Sequence, residues 1–289
     1  MANLVVTFSI MKLSKLHGLG NDFLVSDAEE GINGPSLGLL ARKLCDRHTG
    51  IGADGVLFYE QLRDEDADVV TQIYNADGSE AEMSGNGTRC LAAHLIRTGR
   101  IARPNVRIRT IAGIKTYTLK EQPGNTCIFE SSLGEPILDA HRIPVTLESK
   151  GGRLVNFPLE VGSEVVRVTI SSMGNPHCST FWPDVRQAPV EVLGPVLERH
   201  DCFPDRTNVE FIQVLDRHRI RVRFWERGVG PTLASGTGSS AAAVAAILNG
   251  MADSPVRVEV ALGNLLVQWQ PPGVLYLTGP AEFICMIEY

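Results

Sequence analysis

The chain has 289 residues, of which 44% are hydrophobic and 21% are charged, a composition typical of a soluble globular protein with a full core. Its net charge of −6 at pH 7 gives no indication of a nucleic-acid partner or of attraction to an anionic membrane. The longest apolar run, AAAVAAIL at 241–248, is far shorter than the roughly 20 residues that a membrane-spanning helix needs.

The N-terminal segment and the cysteines predict a cytoplasmic protein. MANLVVTFSI has no basic region and no A-x-A cleavage site, which makes it a poor signal peptide. A second methionine, Met11, leaves residues 1–10 as an extension or a start-codon artefact. The cysteines at 45, 90, 127, 178, 202 and 285 form no C-x-x-C pair, which favours a reduced compartment over a disulfide framework. The histidines show no metal-binding spacing, so no metal site is predicted.

In chain order, the first half contains two predicted helices, each followed by two predicted strands. Helical patterns cover 36–48 and 87–100, and β-branched or alternating runs predict strands at DGVLFYEQ, VVTQIYN, VRIRTIAG and KTYTLKE. The Pro- and Gly-containing segment 137–153 is expected to include a connection between the halves.

The second half repeats this organisation. Its helical patterns cover 188–200 and 238–250, and its predicted strands are RVTISSM, VEFIQVL, RIRVRFWE and NLLVQWQ. Since the helices are inserted between strand runs without regular β-α-β alternation, the predicted class is α+β. Each half is expected to be a curved, mostly antiparallel sheet around one long helix.

Four local similarities recur in the same order and indicate an internal duplication. Each is weak alone, because Gly-Asn and Asp-Arg are common pairs. The matched pairs are Gly20-Asn21 with Gly174-Asn175, Asp46-Arg47 with Asp205-Arg206, Asn75 with Glu226, and Ser84-Gly85-x-Gly87 with Ser235-Gly236-x-Gly238. The two halves are predicted to span residues 1–125, completed by a C-terminal strand at 277–289, and residues 126–276.

The two Ser-Gly-x-Gly segments each precede a helical pattern, and two interpretations remain open. Serine is a preferred N-cap and glycine permits tight backbone angles, so both segments are consistent with ordinary helix starts. Alternatively, the free N–H groups and positive dipole end of each helix bind a carboxylate of a shared ligand. A phosphate is the other anion considered, but neither a Walker A sequence nor a Rossmann fingerprint is present.

Polar residues near these segments suit an amino-acid ligand. Asparagines supply both donors and acceptors, Glu226 is a candidate acceptor for an ammonium group, and Arg227 can clamp a carboxylate with two bonds. For any single asparagine, the sequence favours a role in shaping a turn over a role in binding. The asparagines concerned are Asn21, Asn75, Asn86, Asn175 and Asn208.

Motifs along almost the whole chain resemble those of the diaminopimelate epimerases. They are KLHGLGNDF, CDRHTGIGADG, YNADGSEAEMSGNGTRC, GNPHC, RTNVEF, WERGVGPTLASGTG and the closing GPAEF. The resemblance implies two pseudo-symmetric domains of sheet wrapped around a central helix, with the active site in the cleft between them. It also implies a reaction without a cofactor, in which one stereocentre of diaminopimelate is inverted by two bases on opposite faces.

The chain departs from the family pattern at both bases. Family members carry cysteine where this chain has Ser84 and Ser235, and a glutamate where it has Pro231. A serine hydroxyl is a far weaker acid than a thiol and is poorly reactive without an adjacent base. Three explanations stand: engineered substitutions, a natural branch in which a neighbour such as His177 activates the serines, or an amino-acid-binding protein that does not racemise. Cys45, Cys90 and Cys178 are weighed as substitute bases and interpreted as buried small hydrophobes.

The sequence therefore predicts an enzyme that interconverts LL- and meso-diaminopimelate by two-base α-proton transfer, in the biosynthesis of lysine and peptidoglycan precursors. A lyase or racemase of the same superfamily, and an inactive binding homologue, are the alternatives. A homodimer is expected by analogy, and no nucleic-acid or membrane partner is expected. The predicted catalytic positions are Ser84 and Ser235, with His177 as assistant; the predicted substrate-binding residues are Asn21, Asn75, Gly85, Asn86, Asn175, Asn208, Glu226, Arg227, Gly236 and Thr237.

Overall fold

The computed structural model describes residues 10–28, 37–62, 66–149 and 151–289. Residues 1–9, which include nearly all of the predicted N-terminal extension, lie outside the described residues, as does the first residue of the predicted helix at 36–48. None of the helices in the described ranges is long and apolar enough to cross a membrane.

The chain divides into two compact units. The first contains the described residues up to Phe129 together with Pro280–Tyr289, and the second contains Glu130–Gly279. Both divisions fall inside strands, whereas the sequence analysis placed them after residues 125 and 276. The segment 137–153, predicted to include the connection, lies within the second unit, where Ile137 N–H donates to the Ser172 carbonyl at 2.9 Å.

The first unit is a largely antiparallel sheet with two helices. Its helices are α1 (Leu37–Cys45) and α2 (Gly85–Arg97). Its strands are β1 (Lys12–Gly18), β2 (Asn21–Asp27), β3 (Gly55–Gln61), β4 (Val69–Asn75), β5 (Glu80–Ala81), β6 (Asn105–Thr110), β7 (Gly113–Glu121), the first residues of β8 (Thr126–Gly134) and the last residues of β17 (Leu275–Glu288). The parallel pairs are β2 with β3 and β4 with β6.

Helix α2 lies at the centre of this unit and contacts β1, β2, β3 and β6. Ten of its thirteen residues are buried, including Cys90, Leu91 and Leu95, which pack into a core with side chains from the surrounding strands. Because the helix is buried around most of its circumference, its apolar and polar side chains meet partners in the surrounding strands.

The second unit has the same order of elements. Its helices are α3 (Val190–Glu198) and α4 (Gly236–Leu248), with short 3-10 helices at Ala140–Arg142 and Val185–Gln187. Its strands are β9 (Phe157–Val161), β10 (Glu164–Ser172), β11 (Pro176–Phe181), β12 (Asn208–Asp216), β13 (Arg219–Glu226), β14 (Gly230–Thr232), β15 (Val256–Val260), β16 (Gly263–Gln268), the last residues of β8 and the first residues of β17.

Both units follow one topology: hairpin, helix, hairpin, short strand, helix, hairpin. The parallel pairs of the second unit, β11 with β12 and β13 with β15, occupy the places that β2–β3 and β4–β6 occupy in the first. Helix α4 contacts β10, β11, β12, β13, β15 and β16, and its alanines from Ala241 to Ala246 are buried. The internal duplication and the α+β class predicted from the sequence are confirmed.

The two central helices begin and end earlier than predicted. The predicted ranges were 87–100 and 238–250, whereas the helices span 85–97 and 236–248. Gly99 and Gly250 adopt positive φ values of 71° and 66°, the left-handed geometry that terminates a helix just beyond its C-cap. At the N-terminal ends, Gly85 and Gly236, which follow the two serines, are the first residues of their helices. Helices α1 and α3 are likewise shorter than the predicted 36–48 and 188–200.

A buried histidine links α2 to the sheet. The Nδ1 atom of His94 lies 2.8 Å from Ser14 Oγ, and its Nε2 atom lies 3.1 Å from the Tyr59 hydroxyl. Burial, together with the nearby charge of Arg100, lowers the pKa of His94 from 6.5 to about 4. The imidazole is therefore neutral in the folded protein at pH values where it is protonated in the unfolded chain.

This difference predicts a loss of stability in acid. The contribution of His94 is complete above pH 6.5 and is lost as the pH falls toward 4, because only the unfolded chain then takes up the proton. The expected loss is about 3 kcal/mol of unfolding free energy. Urea unfolding of the unmodified protein and of His94→Gln between pH 7.5 and 4.5 measures it, and the stability gap between the two should narrow in acid. A constant gap would contradict the prediction.

Candidate active site

The two Ser-Gly-x-Gly segments are N-terminal elbows of the central helices. We call residues 84–87 the α2 elbow and residues 235–238 the α4 elbow. Ser84 has φ −138° and ψ 115°, Ser235 has φ −137° and ψ 126°, and each serine is the N-cap of its helix. Ser84 Oγ accepts from Gly87 N–H at 3.1 Å, and Ser235 Oγ accepts from Gly238 N–H at 3.3 Å. The capping interpretation is therefore correct for the backbone.

Capping leaves the elbows able to bind an anion. The serine side chain occupies the third N–H of each helix, whereas the first N–H groups of a helix have no partner within it. These belong to Gly85 and Asn86 in one unit and to Gly236 and Thr237 in the other. The positive end of each helix dipole adds to the attraction for a carboxylate.

A glycine in each elbow lets the helix approach the sheet closely. A Cβ atom at Gly87 would lie 3.2 Å from side-chain atoms of Phe23 and Leu57, and one at Gly238 would lie 2.9 Å from the ring of Phe224. Each glycine thus allows an aromatic side chain from a neighbouring strand to pack under the elbow. The serine is held at the edge of a rigid core.

Near the α2 elbow, Asn21 and Asn86 bond to each other and to charged groups. Asn86 Nδ2 donates to Asn21 Oδ1 at 3.2 Å, and Asn86 Oδ1 accepts from the buried guanidinium of Arg89 at 2.6 Å. Asn21 Nδ2 donates to Asp54 at 2.8 Å, and Asp54 accepts from Arg47 at 2.8 Å. These bonds fix the orientation of the Asn21 and Asn86 side-chain amides, because each oxygen faces a donor and each NH₂ group faces an acceptor.

Asn75 lies on a turn of the first unit. Its Nδ2 donates to Ser79 Oγ at 3.0 Å, and its backbone N–H donates to the Ser79 carbonyl at 2.9 Å. The side chain is exposed, so it is available to a ligand as well as to the turn.

Glu226 lies near the α4 elbow, where the Ser235 hydroxyl acts to lower the pKa of its carboxyl. Glu226 Oε1 accepts from Thr232 Oγ1 at 2.6 Å. Burial raises the pKa of Glu226 above its ordinary value, although the bond from Thr232, the charge of His177 and the Ser235 hydroxyl oppose that rise. A carboxylate with a raised pKa is a suitable proton acceptor for a neighbouring serine hydroxyl.

His177 is fully buried and has both ring nitrogens engaged. Its Nδ1 lies 2.6 Å from Glu210 Oε1, and its Nε2 lies 3.0 Å from Asn175 Oδ1. Glu210 also accepts from Ser179 Oγ at 2.8 Å. The ring is therefore held in place by Glu210 and Asn175. Glu210 follows Asn208 by two residues, so strand alternation could have placed it beside His177, which pairs with Asn208 in the sheet.

Asn208 joins two backbone segments of the second unit. Its Nδ2 donates to the Pro176 carbonyl at 2.9 Å, and its Oδ1 accepts from Arg227 N–H at 3.0 Å. The guanidinium of Arg227 is exposed and donates to the Asp205 carbonyl at 3.2 Å. Asn208 thus orients the backbone of Arg227, while the Arg227 side chain has donors left for a ligand.

The cysteines weighed as substitute bases are unsuited to that role. Burial raises the pKa of Cys45 to about 11, that of Cys90 to about 12 and that of Cys178 well above its ordinary value. Such thiols are almost entirely protonated at neutral pH and react poorly. Among the residues that the structure describes, no group of three or more His, Cys, Asp or Glu side chains is arranged to hold a metal ion.

Pro231 is accommodated at a sheet edge. It lies in β14, a strand of three residues, opposite Trp225 of β13. A proline lacks the N–H group that an inner strand needs on both sides, so an edge strand accepts it. The short strand still places Thr232 against Glu226.

Solved structures of similar fold define the class. A phenazine biosynthesis protein of the PhzF family from Bacillus anthracis matches with a TM-score of 0.70 at 16% identity, over 98% of this chain and 99% of that chain. A hydroxyproline epimerase from Agrobacterium vitis matches with a TM-score of 0.64 at 15% identity, over 98% and 91%. The fold is thus the two-unit α+β fold shared by PhzF-type proteins and by racemases and epimerases.

Sequence comparison identifies the family within that class. A family model described as diaminopimelate epimerase matches residues 13–138 and 169–284. The diaminopimelate epimerase of Pelotomaculum thermopropionicum is 44% identical over 280 residues, which cover 96% of this chain and 99% of that protein. That of Moorella thermoacetica is 45% identical over 273 residues, covering 94% and 96%. The chain belongs to the diaminopimelate epimerase family.

Proposed function

We propose that this chain is a diaminopimelate epimerase, an isomerase that interconverts the LL and meso forms of its substrate. The observation that carries the proposal is identity of 44–45% to diaminopimelate epimerases over nearly the whole chain. The matched N-cap geometry of Ser84 and Ser235 supports it, because inversion by two bases requires two equivalent positions.

In the proposed mechanism, one serine position removes the α-proton and the other returns a proton on the opposite face. The helix N-terminus at each elbow binds the substrate α-carboxylate through the backbone of Gly85-Asn86 and Gly236-Thr237. That dipole contributes at most about 2 kcal/mol, or roughly 1.5 pKa units, which does not make a serine alkoxide available at neutral pH. Serine therefore needs a partner base.

Glu226 is the partner that we propose for Ser235. As Ser235 Oγ takes the α-proton, its own hydroxyl proton passes to the carboxylate of Glu226, so no free alkoxide forms. In the reverse direction the same two protons return along the same path. The raised pKa of Glu226 favours its role as acceptor. At the other elbow, Ser84 Oγ, which accepts from Gly87 N–H, gives its proton to the opposite face of the α-carbon. Ser84 regains a proton through solvent as the Glu226 carboxyl loses one, so the enzyme ends in the protonation state in which it began.

Solvent-deuterium exchange at the α-carbon tests the function directly. The protein is incubated in D₂O with LL- or meso-diaminopimelate, and NMR and chiral chromatography follow deuterium uptake and stereochemistry. Uptake with inversion supports the epimerase. Uptake or product loss without inversion would point to a lyase, and binding without uptake to an inactive homologue.

The remaining substrate contacts are part of the same proposal. The side chains of Asn21, Asn75, Asn175 and Asn208 would bind the polar groups of the substrate, and Arg227 would bind a carboxylate. We also propose a cytoplasmic location and a homodimer, supported by the six unpaired cysteines and by analogy with the family respectively.

Replacing Arg227 by lysine should weaken diaminopimelate binding by roughly 1.5–3 kcal/mol, the contribution of a charged hydrogen bond. Lysine keeps the charge but cannot present two parallel donors to a carboxylate. Calorimetric titration measures the affinity. Arg221→Lys in β13, the strand that ends just before Arg227, is the control, because the Arg221 guanidinium bonds Glu259. An unchanged affinity with lower thermal stability would assign Arg227 a structural role instead.

A further inference from the structure

The carboxylate of Glu198, at the end of α3, is buried and accepts two hydrogen bonds. Its Oε2 accepts from the indole Nε1 of Trp225 at 2.8 Å, and its Oε1 accepts from Gly228 N–H at 2.9 Å. Only 2% of the residue is exposed. The guanidinium groups of Arg199 and Arg206 approach to 4.0 and 3.8 Å, but both are largely exposed and contribute less than the two hydrogen bonds.

Another residue of α3 sets the position of Trp225. A Cβ atom at Gly194 would lie 2.7–2.9 Å from side-chain atoms of Trp225, so only glycine lets the indole pack this closely. Gly194 and Glu198 are four residues apart and lie on the same face of the helix. On the face of α3 toward β13, Gly194 thus leaves space for the Trp225 indole, and Glu198, one turn later, accepts the indole N–H.

The chain immediately after Trp225 is the turn that carries Glu226 and Arg227. Two consecutive backbone N–H groups of this turn are held by side chains from different elements: Arg227 N–H by Asn208 Oδ1 of β12, and Gly228 N–H by Glu198 Oε1 of α3. Gly228 has a φ of 75°, a conformation that most side chains disfavour. The turn is therefore defined by these two acceptors more than by local preference.

We propose that Glu198 is a positioning residue that holds this turn in the conformation in which the Glu226 carboxylate bonds Thr232 and Arg227 faces the substrate. The substrate part rests on the proposed function; the effect on Glu226 does not. Glu198 touches neither Ser235 nor, in this proposal, the substrate.

The charge of Glu198 is what permits both bonds. Burial acts to raise its pKa, but the bonds from Trp225 and Gly228 and the nearby arginines outweigh burial and hold the pKa below its ordinary value. The carboxylate is thus ionised at neutral pH, with an acceptor oxygen for each N–H. A glutamine of the same shape has one oxygen and one NH₂ group, so one of the two N–H groups must lose its acceptor.

Three variants test the proposal. Glu198→Gln removes one acceptor, and Trp225→Phe removes the indole donor while leaving the Gly228 bond possible. In the double variant Glu198→Gln, Trp225→Phe, the glutamine oxygen can accept from Gly228 N–H. Its NH₂ group then faces the phenylalanine ring, which has no competing N–H donor. Glu191→Gln is the matched control. Glu191 lies on the same helix, but its carboxylate is exposed and accepts from the Arg223 guanidinium at 2.7 Å rather than from the turn.

Two measurements on the ligand-free protein decide the structural part. Hydrogen exchange of the Gly228 amide should become at least about tenfold faster in Glu198→Gln and recover in the double variant, since about 1.4 kcal/mol corresponds to tenfold. The pKa of Glu226, followed by carboxyl-carbon NMR, should fall toward its ordinary value in Glu198→Gln only. A Gly228 amide and a Glu226 titration unchanged by Glu198→Gln would overturn the proposal.

Calorimetry with diaminopimelate tests the substrate part. Glu198→Gln should weaken binding by roughly tenfold or more, and the double variant should regain much of that loss. If Glu198→Gln lost affinity for diaminopimelate and the double variant did not regain it, the turn would not be held through Gly228. That result would also overturn the proposal. If the unmodified protein does not bind diaminopimelate, the proposed function fails, and the two ligand-free measurements still decide whether Glu198 positions Glu226.

Discussion

Replacing Ser84 and Ser235 together by cysteine should create or greatly raise α-proton exchange and inversion of diaminopimelate. A free thiol has a pKa near 8.5, and a helix N-terminus lowers it further, so a thiolate becomes available near neutral pH where a serine alkoxide is not. Both residues are already N-caps of central helices, so no new backbone geometry is required. Deuterium uptake and chiral analysis of the product measure the outcome.

The single variants provide the control for this pair. Inversion needs a base on one face and an acid on the other, so one cysteine alone should permit at most exchange on one face. The effect of the pair should therefore be strongly non-additive, as for residues that act as a unit. A folded double variant that binds diaminopimelate but neither exchanges nor inverts it would show that the pocket itself has changed, and Pro231 would then be examined first. Rapid turnover by the unmodified protein would instead show that the serines are already activated.

Replacing Glu226 by glutamine should lower α-proton exchange by roughly 10²–10⁴-fold, the usual contribution of a general base. Glutamine keeps the shape and can still bond Thr232, but it cannot take the hydroxyl proton. In the Ser84→Cys, Ser235→Cys protein, Glu226→Gln should lower the exchange rate much less, because a thiol depends less on a neighbouring base. Exchange rates of the four proteins, measured as deuterium uptake, give the comparison.

The pH dependence provides a second check on Glu226. The pKa of Glu226 is raised by burial, so exchange by the unmodified protein should increase as the pH rises through a value above the ordinary 4.5 for glutamate. That increase should disappear in Glu226→Gln. Glu259→Gln serves as the control, because the Glu259 carboxylate bonds Arg221 of β13. In the comparison of the four proteins, an equal loss of exchange rate on Glu226→Gln in the serine and cysteine proteins would assign Glu226 to substrate binding, the role predicted from the sequence.

Local sequence patterns were sufficient for some elements and not for others. The alternating runs at 54–61, 69–75 and 219–226 predicted β3, β4 and β13 almost to the residue. Strand β11, PHCSTF, was not predicted, because proline, histidine and small polar residues are not typical of a strand. Its polar side chains are tolerated in the interior because Glu210 accepts bonds from His177 and Ser179. Partners distant in sequence thus override local preference there.

The sequence by itself determined the family, the α+β class, the duplication and the two serine elbows, because motifs, helix caps and β-branched alternation are local properties of the chain. Only the tertiary structure decided that Thr232 bonds Glu226, that both nitrogens of His177 are engaged, and that Glu198 holds Gly228. These pairings join side chains that different elements bring together. Which donor meets which acceptor depends on how those elements pack around α3 and α4, and no local pattern encodes that choice.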